Sequence, residues 1–340
     1  MSHRGIVDGP ARAVDPLRPG PAHRETAAAP SETRGPGGSV AAVRPPDMSL
    51  PGFAEERRGV GEADYLVARA GAGPPLLLLH GFPETHACWH RVAPALAASH
   101  EVVAPDLRGY GASRAPAGGP RGEGYSKREM AAELVGLMAG LGHERFAVAG
   151  HDRGARVAYR LALDHPDRVT HAAVVNVVPT IDQFERMAAG PSLGYWPWFL
   201  LAQPAPFPER LLGAEPAALI DHVAATWTAD PAAIDDERRA AYVRALTPDT
   251  VAAMCADYRA SLHIDRGHDA DDRAAGRRIA CPLLVVTGEE EAQLADAPHV
   301  WRTWAGDVRA ARVPGGHFAP EEAPGELAEL LAGFLAPDGP

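Results

Sequence analysis

The sequence predicts an α/β fold, a mostly parallel central sheet flanked by helices, with a helical cap inserted between two of its later strands. Three observations carry this expectation. Short apolar runs bounded by Gly, Pro or Asp alternate with stretches of helical spacing, the pattern of strand and crossover helix. One of those runs ends in a turn flanked by glycines and leads at once into a helix. The alternation then stops between residues 180 and 260, where no strand pattern occurs and Tyr195, Trp196, Trp198, Phe199, Phe207, Trp227 and Tyr242 gather. Strands are expected over residues 76–79, 101–105, 146–150, 172–178, 282–287 and 309–313, and helices over 127–141, 155–164 and 324–335.

Residues 1–48 hold eight prolines and six glycines and no Phe, Tyr or Trp. Such a segment cannot bury enough apolar surface to offset the entropy of ordering it. The expected organisation is a disordered tail over 1–48, a first core part over 49–180, the cap over 181–261 and a second core part over 262–340. Lys+Arg 33 against Asp+Glu 44 gives a net charge of −11, which repels phosphate backbones and anionic headgroups, so neither nucleic acid nor a membrane is an expected partner. The apolar runs fall far short of the roughly 18–20 residues that cross a bilayer. Cys88, Cys255 and Cys281 are odd in number and widely spaced, which suggests neither a disulfide framework nor a cysteine metal site. A cytoplasmic protein without cofactor is the expectation, and the sequence leaves a homodimer open.

Chemistry concentrates at Phe146-Ala-Val-Ala-Gly150-His151-Asp152-Arg153-Gly154-Ala155-Arg156. An apolar run ending in G-x-D-x-G and followed by a helix is a nucleophile elbow with Asp152 in the nucleophile slot. The flanking glycines are needed because the turn is sharp and the helix packs closely on the strand. Upstream, residues 76–79 run into His80-Gly81-Phe82-Pro83, where an oxyanion loop belongs; the backbone N–H groups of Phe82 and Arg153 are the expected donors. Among 15 histidines, His317 in Pro-Gly-Gly-His-Phe follows the last strand and completes the chain order nucleophile, acid, His. Arg153 and Arg156 lie in the first turn of a helix, where a cation opposes the macrodipole and needs a compensating anion. Two decoys are set aside. Gly190-Pro-Ser-Leu-Gly194 spells a serine elbow but no strand leads into it, and His263, Asp265, His268, Asp269, Asp271 and Asp272 read as a solvated loop with no fixed metal spacing.

From Pro51 onward the chain resembles the fluoroacetate (haloacetate) dehalogenases, a branch of the α/β-hydrolases close to the epoxide hydrolases. The resemblance rests on LLLLHGFPETHACW, DLRGYGAS, GHDRGARVAYRLALDHPDRV, VVPT, YWPWFLLAQPAPFPE, DYRA and PGGHF. It implies that a carboxylate nucleophile attacks an sp³ carbon bearing a halide, giving an ester that water hydrolyses with His317 as base. It implies further that Arg153 and Arg156 grip the substrate carboxylate as planar forks. Two positions depart from the family. Asn176 stands where the His-orienting Asp is expected, so the acid is expected at Glu291, or next at Glu290, the place after the following strand that most other α/β-hydrolases use. Glu291 should then lie within about 2.6–3.2 Å of the His317 ring. Pro197 stands where a halide-holding His is expected, leaving Trp198 and Tyr258 as donors and defluorination in question. The alternatives are an epoxide hydrolase, in which Tyr258 would protonate the ring oxygen, and a catalytically weak small-molecule binding protein.

Overall fold

Eight strands form one sheet in the order β1-β2-β4-β3-β5-β6-β7-β8. They are β1 (Ala54–Val60), β2 (Ala63–Ala70), β3 (Pro75–Leu79), β4 (Glu101–Pro105), β5 (Phe146–His151), β6 (Val169–Val175), β7 (Leu283–Gly288) and β8 (Val308–Val313). The computed structural model describes residues 49–190 and 193–336, which belong to one compact unit. The tail expected over 1–48 lies outside the described residues, as do Pro191 and Ser192 of the serine-elbow decoy.

From β4 to β8 all pairings are parallel, whereas β1 on β2 and β2 on β4 are antiparallel. The hairpin β1–β2 is absent from the expected strands, although β2 buries an alternating face at Ala63, Tyr65 and Val67; for β1 the omission has a physical reason. β1 is an exposed edge ribbon of sequence AEERRGV, so it buries no alternating apolar face that could be read as a strand. The six expected strands form, with one shifted: the run placed at 172–178 leaves the sheet at Val175, because Asn176 takes a left-handed backbone at φ 59°.

Helices cover both faces. α1 (Ala93–Leu96), α2 (Lys127–Gly140) and α3 (Arg153–Asp164) connect the early strands. α2 opens on a capping box in which Ser126 and Glu129 satisfy each other's backbone N–H. Between β6 and β7 the strand-free stretch is helical: α4 (Thr180–Ala189), α5 (Trp196–Leu200), α6 (Phe207–Ala214), α7 (Pro216–Trp227), α8 (Asp236–Ala245), α9 (Pro248–Ala260) and α10 (Arg266–Ala274). α11 (Ala297–Trp304) joins β7 to β8, and α12 (Ala319–Glu322) and α13 (Pro324–Leu335) end the described chain. Among the described residues no helix is long and apolar enough to cross a membrane.

The run from His263 to Asp272 corrects the expectation of a solvated loop. It forms a π-helical turn, Ser261–Asp265, and α10, with Asp265, Asp269 and Asp272 buried. Arg160 of α3 donates to Asp269 Oδ1 at 2.6 Å and pairs with Asp272, and Tyr159 Oη donates to Asp269 Oδ2 at 2.9 Å. Local polarity concealed this burial because the partners lie more than a hundred positions away in sequence.

Candidate active site

The elbow is built from β5, buried throughout, and α3. Asp152 between them has φ 45° and ψ −111°, a strained backbone that persists only where its surroundings over-determine it. The glycines do that. A Cβ on Gly150 would meet the Gly154 carbonyl carbon at 2.4 Å, and one on Gly154 would meet the Leu79 carbonyl oxygen at 2.4 Å. Strand, turn and helix therefore pack backbone to backbone, and the Asp152 side chain projects beyond the carboxyl end of the sheet.

There the Phe82 N–H donates to Asp152 Oδ1 at 3.0 Å. The other oxygen, Oδ2, lies 3.7 Å from His317 Nε2, an ion-pair contact rather than a hydrogen bond. Arg153 follows Asp152 as the first residue of α3, and among the described residues its N–H makes no bond to the carboxylate. Burial alone would raise the Asp152 pKa, yet the neighbouring His317 ring holds it well below the usual carboxylate range. Burial pushes the imidazole down, but Asp152 and Glu291 outweigh that and raise His317 to about 10.

The loop that carries His317 is fixed from three sides. Its N–H donates to the Trp227 carbonyl at 2.7 Å, and the Trp227 ring meets the imidazole edge-on, centroids 5.2 Å apart. Its carbonyl faces His151 Nε2 at 2.7 Å, and His151 Nδ1 faces Glu84 Oε2 at 2.9 Å. The Glu322 carboxylate accepts from the N–H groups of Gly316, Phe318 and, in the cap, Ala229 at 2.9, 3.0 and 2.7 Å. Sequence reasoning missed Trp227, Glu84 and Glu322 in these positions. Glu322 carried a weak signal in its closeness to His317.

The geometry at the expected acid departs from expectation in one respect. Glu291 offers the carboxylate nearest His317 Nδ1, but at 3.8 Å, beyond the hydrogen-bond range expected for it. Glu291 precedes a short 3₁₀ turn, Ala292–Leu294, and its Oε2 also accepts from Gln293. Glu290 lines the same cavity. Asn176 leaves the ring alone: its Nδ2 donates to the carbonyls of His317 (2.7 Å) and Gly316 (3.1 Å), and its Oδ1 accepts from the Gly288 N–H (2.8 Å). An Asp held in this orientation would place an anion against two carbonyl oxygens, so the amide suits the bracket as a carboxylate cannot.

The two elbow arginines part company. Arg153 Nε and Nη2 form a fork on Asp257 at 3.0 and 2.5 Å, Nη2 also donates to Ser261 Oγ at 2.6 Å, and only Nη1 is without a partner. Lys127 and Tyr110 Oη share the same buried Asp257. Among the described residues Arg156 forms no ion pair, although the charge of Asp152 in the same cavity favours it. Its Nη1 donates to the Val178 carbonyl at 3.0 Å and to Thr180 Oγ1 at 3.3 Å, its Nε has no partner, and its guanidinium lies 4.6 Å over the Trp198 ring. It is 3% exposed, and burial, with the charge of Arg153, pushes its pKa below the usual guanidinium value.

A cavity of about 380 Å³ collects these groups: Asp152, His317, Glu291, Arg156, Trp198 and Tyr258 all line it, and Arg153 does not. Pro197, at the start of α5, also forms part of the wall, as does Gln183 of α4, a residue the sequence reading did not single out. Among the described residues no cluster of His, Cys, Asp and Glu is arranged to hold a metal. The three cysteines are unpaired, and the decoy's Gly194 lies in a short turn of the cap.

A carboxylate on a strained elbow, a histidine opposite it and a cap over the sheet's carboxyl end define a hydrolase of the α/β class. The family comparison agrees: the model of the α/β-hydrolase fold matches residues 74–324, and the chain belongs to that family. It is 40% identical over 293 residues to a fluoroacetate dehalogenase from Burkholderia sp, covering 84% of this chain and 94% of that protein. A soluble epoxide hydrolase from Corynebacterium sp. (strain C12) is 30% identical over 290 residues, covering 79% of this chain and 92% of its own. Among solved structures, one from Nostoc sp described as an α/β hydrolase superposes with a TM-score of 0.80 at 42% identity, covering 84% of this chain and 99% of that one. The chain thus falls in the branch that joins haloacetate dehalogenases to epoxide hydrolases.

Proposed function

We propose that this hydrolase displaces halide from a small 2-halo carboxylate through an ester on Asp152. The observation that carries the reading is Arg156, a buried cation that forms no ion pair among the described residues, in the wall of the cavity that holds Asp152 and His317. A buried charge is costly unless paired, so such a site awaits an anion. The likeness to the Burkholderia fluoroacetate dehalogenase supports the same substrate class.

In this mechanism Asp152 Oδ2 attacks the carbon that bears the halogen. The carbon–halogen bond breaks with its electron pair going to the halide, beside the Trp198 and Tyr258 donors, and Oδ2 becomes the ester oxygen. Water then adds to the Asp152 carboxyl carbon as His317 Nε2 takes its proton. Negative charge collects on Oδ1, opposite the Phe82 N–H, with the Arg153 N–H as the second donor. Collapse expels the 2-hydroxy carboxylate, which receives the proton from His317, and Asp152 is restored as the carboxylate when the water's second proton leaves to solvent. Glu291 supports the imidazolium by charge across 3.8 Å. The raised His317 pKa fits this order of events. While Asp152 is ionised the ring is held protonated; esterification removes that charge and lowers the ring's pKa, so that the ring releases its proton to solvent and Nε2 can act as a base.

Pro197 supplies no donor to the halide, so chloroacetate or bromoacetate should react faster than fluoroacetate by roughly ten- to a hundredfold, the worth of one charge-assisted bond. The test follows halide release from the three haloacetates beside diol formation from a neutral epoxide, with His317→Ala used to trap the ester for mass spectrometry. Halide release and an adduct on Asp152 are expected. Diol without halide release would instead favour the epoxide hydrolase reading, for which the Tyr258 hydroxyl in the cavity supplies a proton donor.

A further inference from the structure

The carboxylate anchor has a second member that the elbow motif does not contain. Arg153, the partner its position in sequence suggests, has its fork committed to Asp257 and Ser261 and stays out of the cavity wall. Gln183 is in that wall. It is 3% exposed, and its Nε2 is buried without a hydrogen-bond partner. The only other unpartnered buried donor in the described wall, His317 aside, is Arg156 Nε.

The two donors are held together by α4. Thr180 and Gln183 are three residues apart on this helix and so share one face, and Thr180 Oγ1 accepts from Arg156 Nη1 at 3.3 Å. Gln183 therefore stands one turn beyond the residue that steadies the guanidinium. A buried amide with no partner is expensive to keep, and so is a buried guanidinium with no anion. One carboxylate between them would satisfy both. An amide is suited to this place because it adds a directed N–H without a second positive charge, and Arg153 already presses on Arg156 electrostatically.

Resting on the proposed haloacid reading, we propose that Gln183 Nε2 and Arg156 together bind the substrate carboxylate, making Gln183 a specificity-determining residue of the pocket. It discriminates carboxylates from neutral ligands of the same shape and takes no part in the bond-making steps.

The experiment titrates the full chain with propionate and with propionamide by calorimetry, for the wild type, Gln183→Met and Gln183→Glu, and measures bromide release from bromoacetate alongside. Gln183→Met should weaken propionate binding and raise KM for bromoacetate by roughly ten- to a hundredfold, with kcat changed far less and propionamide binding unaltered. Gln183→Glu should lose more, since its own carboxylate would neutralise Arg156. Melting temperatures of the variants check that each is folded, and an unfolded Gln183→Met leaves the near-isosteric Gln183→Glu to decide. If wild type releases bromide and binds propionate while both variants bind it equally well, the Gln183 assignment is overturned and the haloacid reading stands. If wild type binds no carboxylate and releases no bromide, both fall.

Discussion

Replacing each elbow arginine with methionine should have opposite consequences for stability and function. For Arg156→Met the terms nearly cancel. Removing a buried cation that lacks an acid relieves a desolvation penalty of several kcal/mol. It forfeits the bond to the Val178 carbonyl, about 1.5–3 kcal/mol for a charged donor, the longer contact to Thr180, and about 1–2 kcal/mol of stacking on Trp198. The melting temperature should stay within a few degrees of wild type or rise. Arg153→Met is different, because it leaves Asp257 buried with only Lys127 to balance it. Breaking a buried pair from one side costs about 3–5 kcal/mol, or at least about 6 °C at 2–4 °C per kcal/mol. In activity the order for Arg156 reverses: a substrate carboxylate that loses two charge-assisted bonds, about 3–6 kcal/mol, should drop kcat/KM by roughly 10² to 10⁴. Differential scanning fluorimetry and bromide release measure the two quantities. The reasoning is refuted if Arg156→Met melts as low as Arg153→Met, or if it keeps kcat/KM for bromoacetate within tenfold of wild type.

Glu291→Gln should lower the rate of ester hydrolysis by orders of magnitude, whereas Asn176→Ala, which removes a bracket of three backbone hydrogen bonds, should mainly lower the melting temperature; steady-state kinetics with the opposite ranking would return the acid's role to position 176. Glu321 is buried against Tyr242 and Arg91, and burial, with the charge of Glu84, raises its pKa from 4.5 to about 7. The folded state therefore holds this proton to higher pH than the unfolded chain does. Its stabilising share is complete below about pH 4.5 and lost as pH rises through 7, amounting to about 3 kcal/mol. Melting curves between pH 5 and 8 should show Glu321→Gln losing less stability than wild type over that interval; parallel curves would remove Glu321 as the source.

The elbow was legible in the sequence because it is a local device. Gly150, Asp152 and Gly154 are close in the chain, and the constraint they satisfy, backbone contact between β5, α3 and the end of β3, permits few other residues. His317 and Phe82 were legible for the same reason, each placed by a short motif at the end of a strand. The inner parallel strands announced themselves as continuous apolar runs, since both of their faces are covered, whereas the edge strands β1 and β8 are largely exposed. What the sequence could not decide was which charge meets which. Arg153 and Arg156 are near neighbours on one helix, and only the folded chain brings Asp257 of α9 to one of them and leaves the other in the wall of the cavity that Gln183 also lines. Likewise Asn176 differs from an Asp by a single amide, but its partners, the carbonyls of Gly316 and His317, come from a loop 140 and 141 residues away. Periodicity reports the environment that neighbours in sequence impose on one another. Pairing of buried charges is a property of distant segments meeting in a medium of low dielectric, and it exists only once the chain has folded.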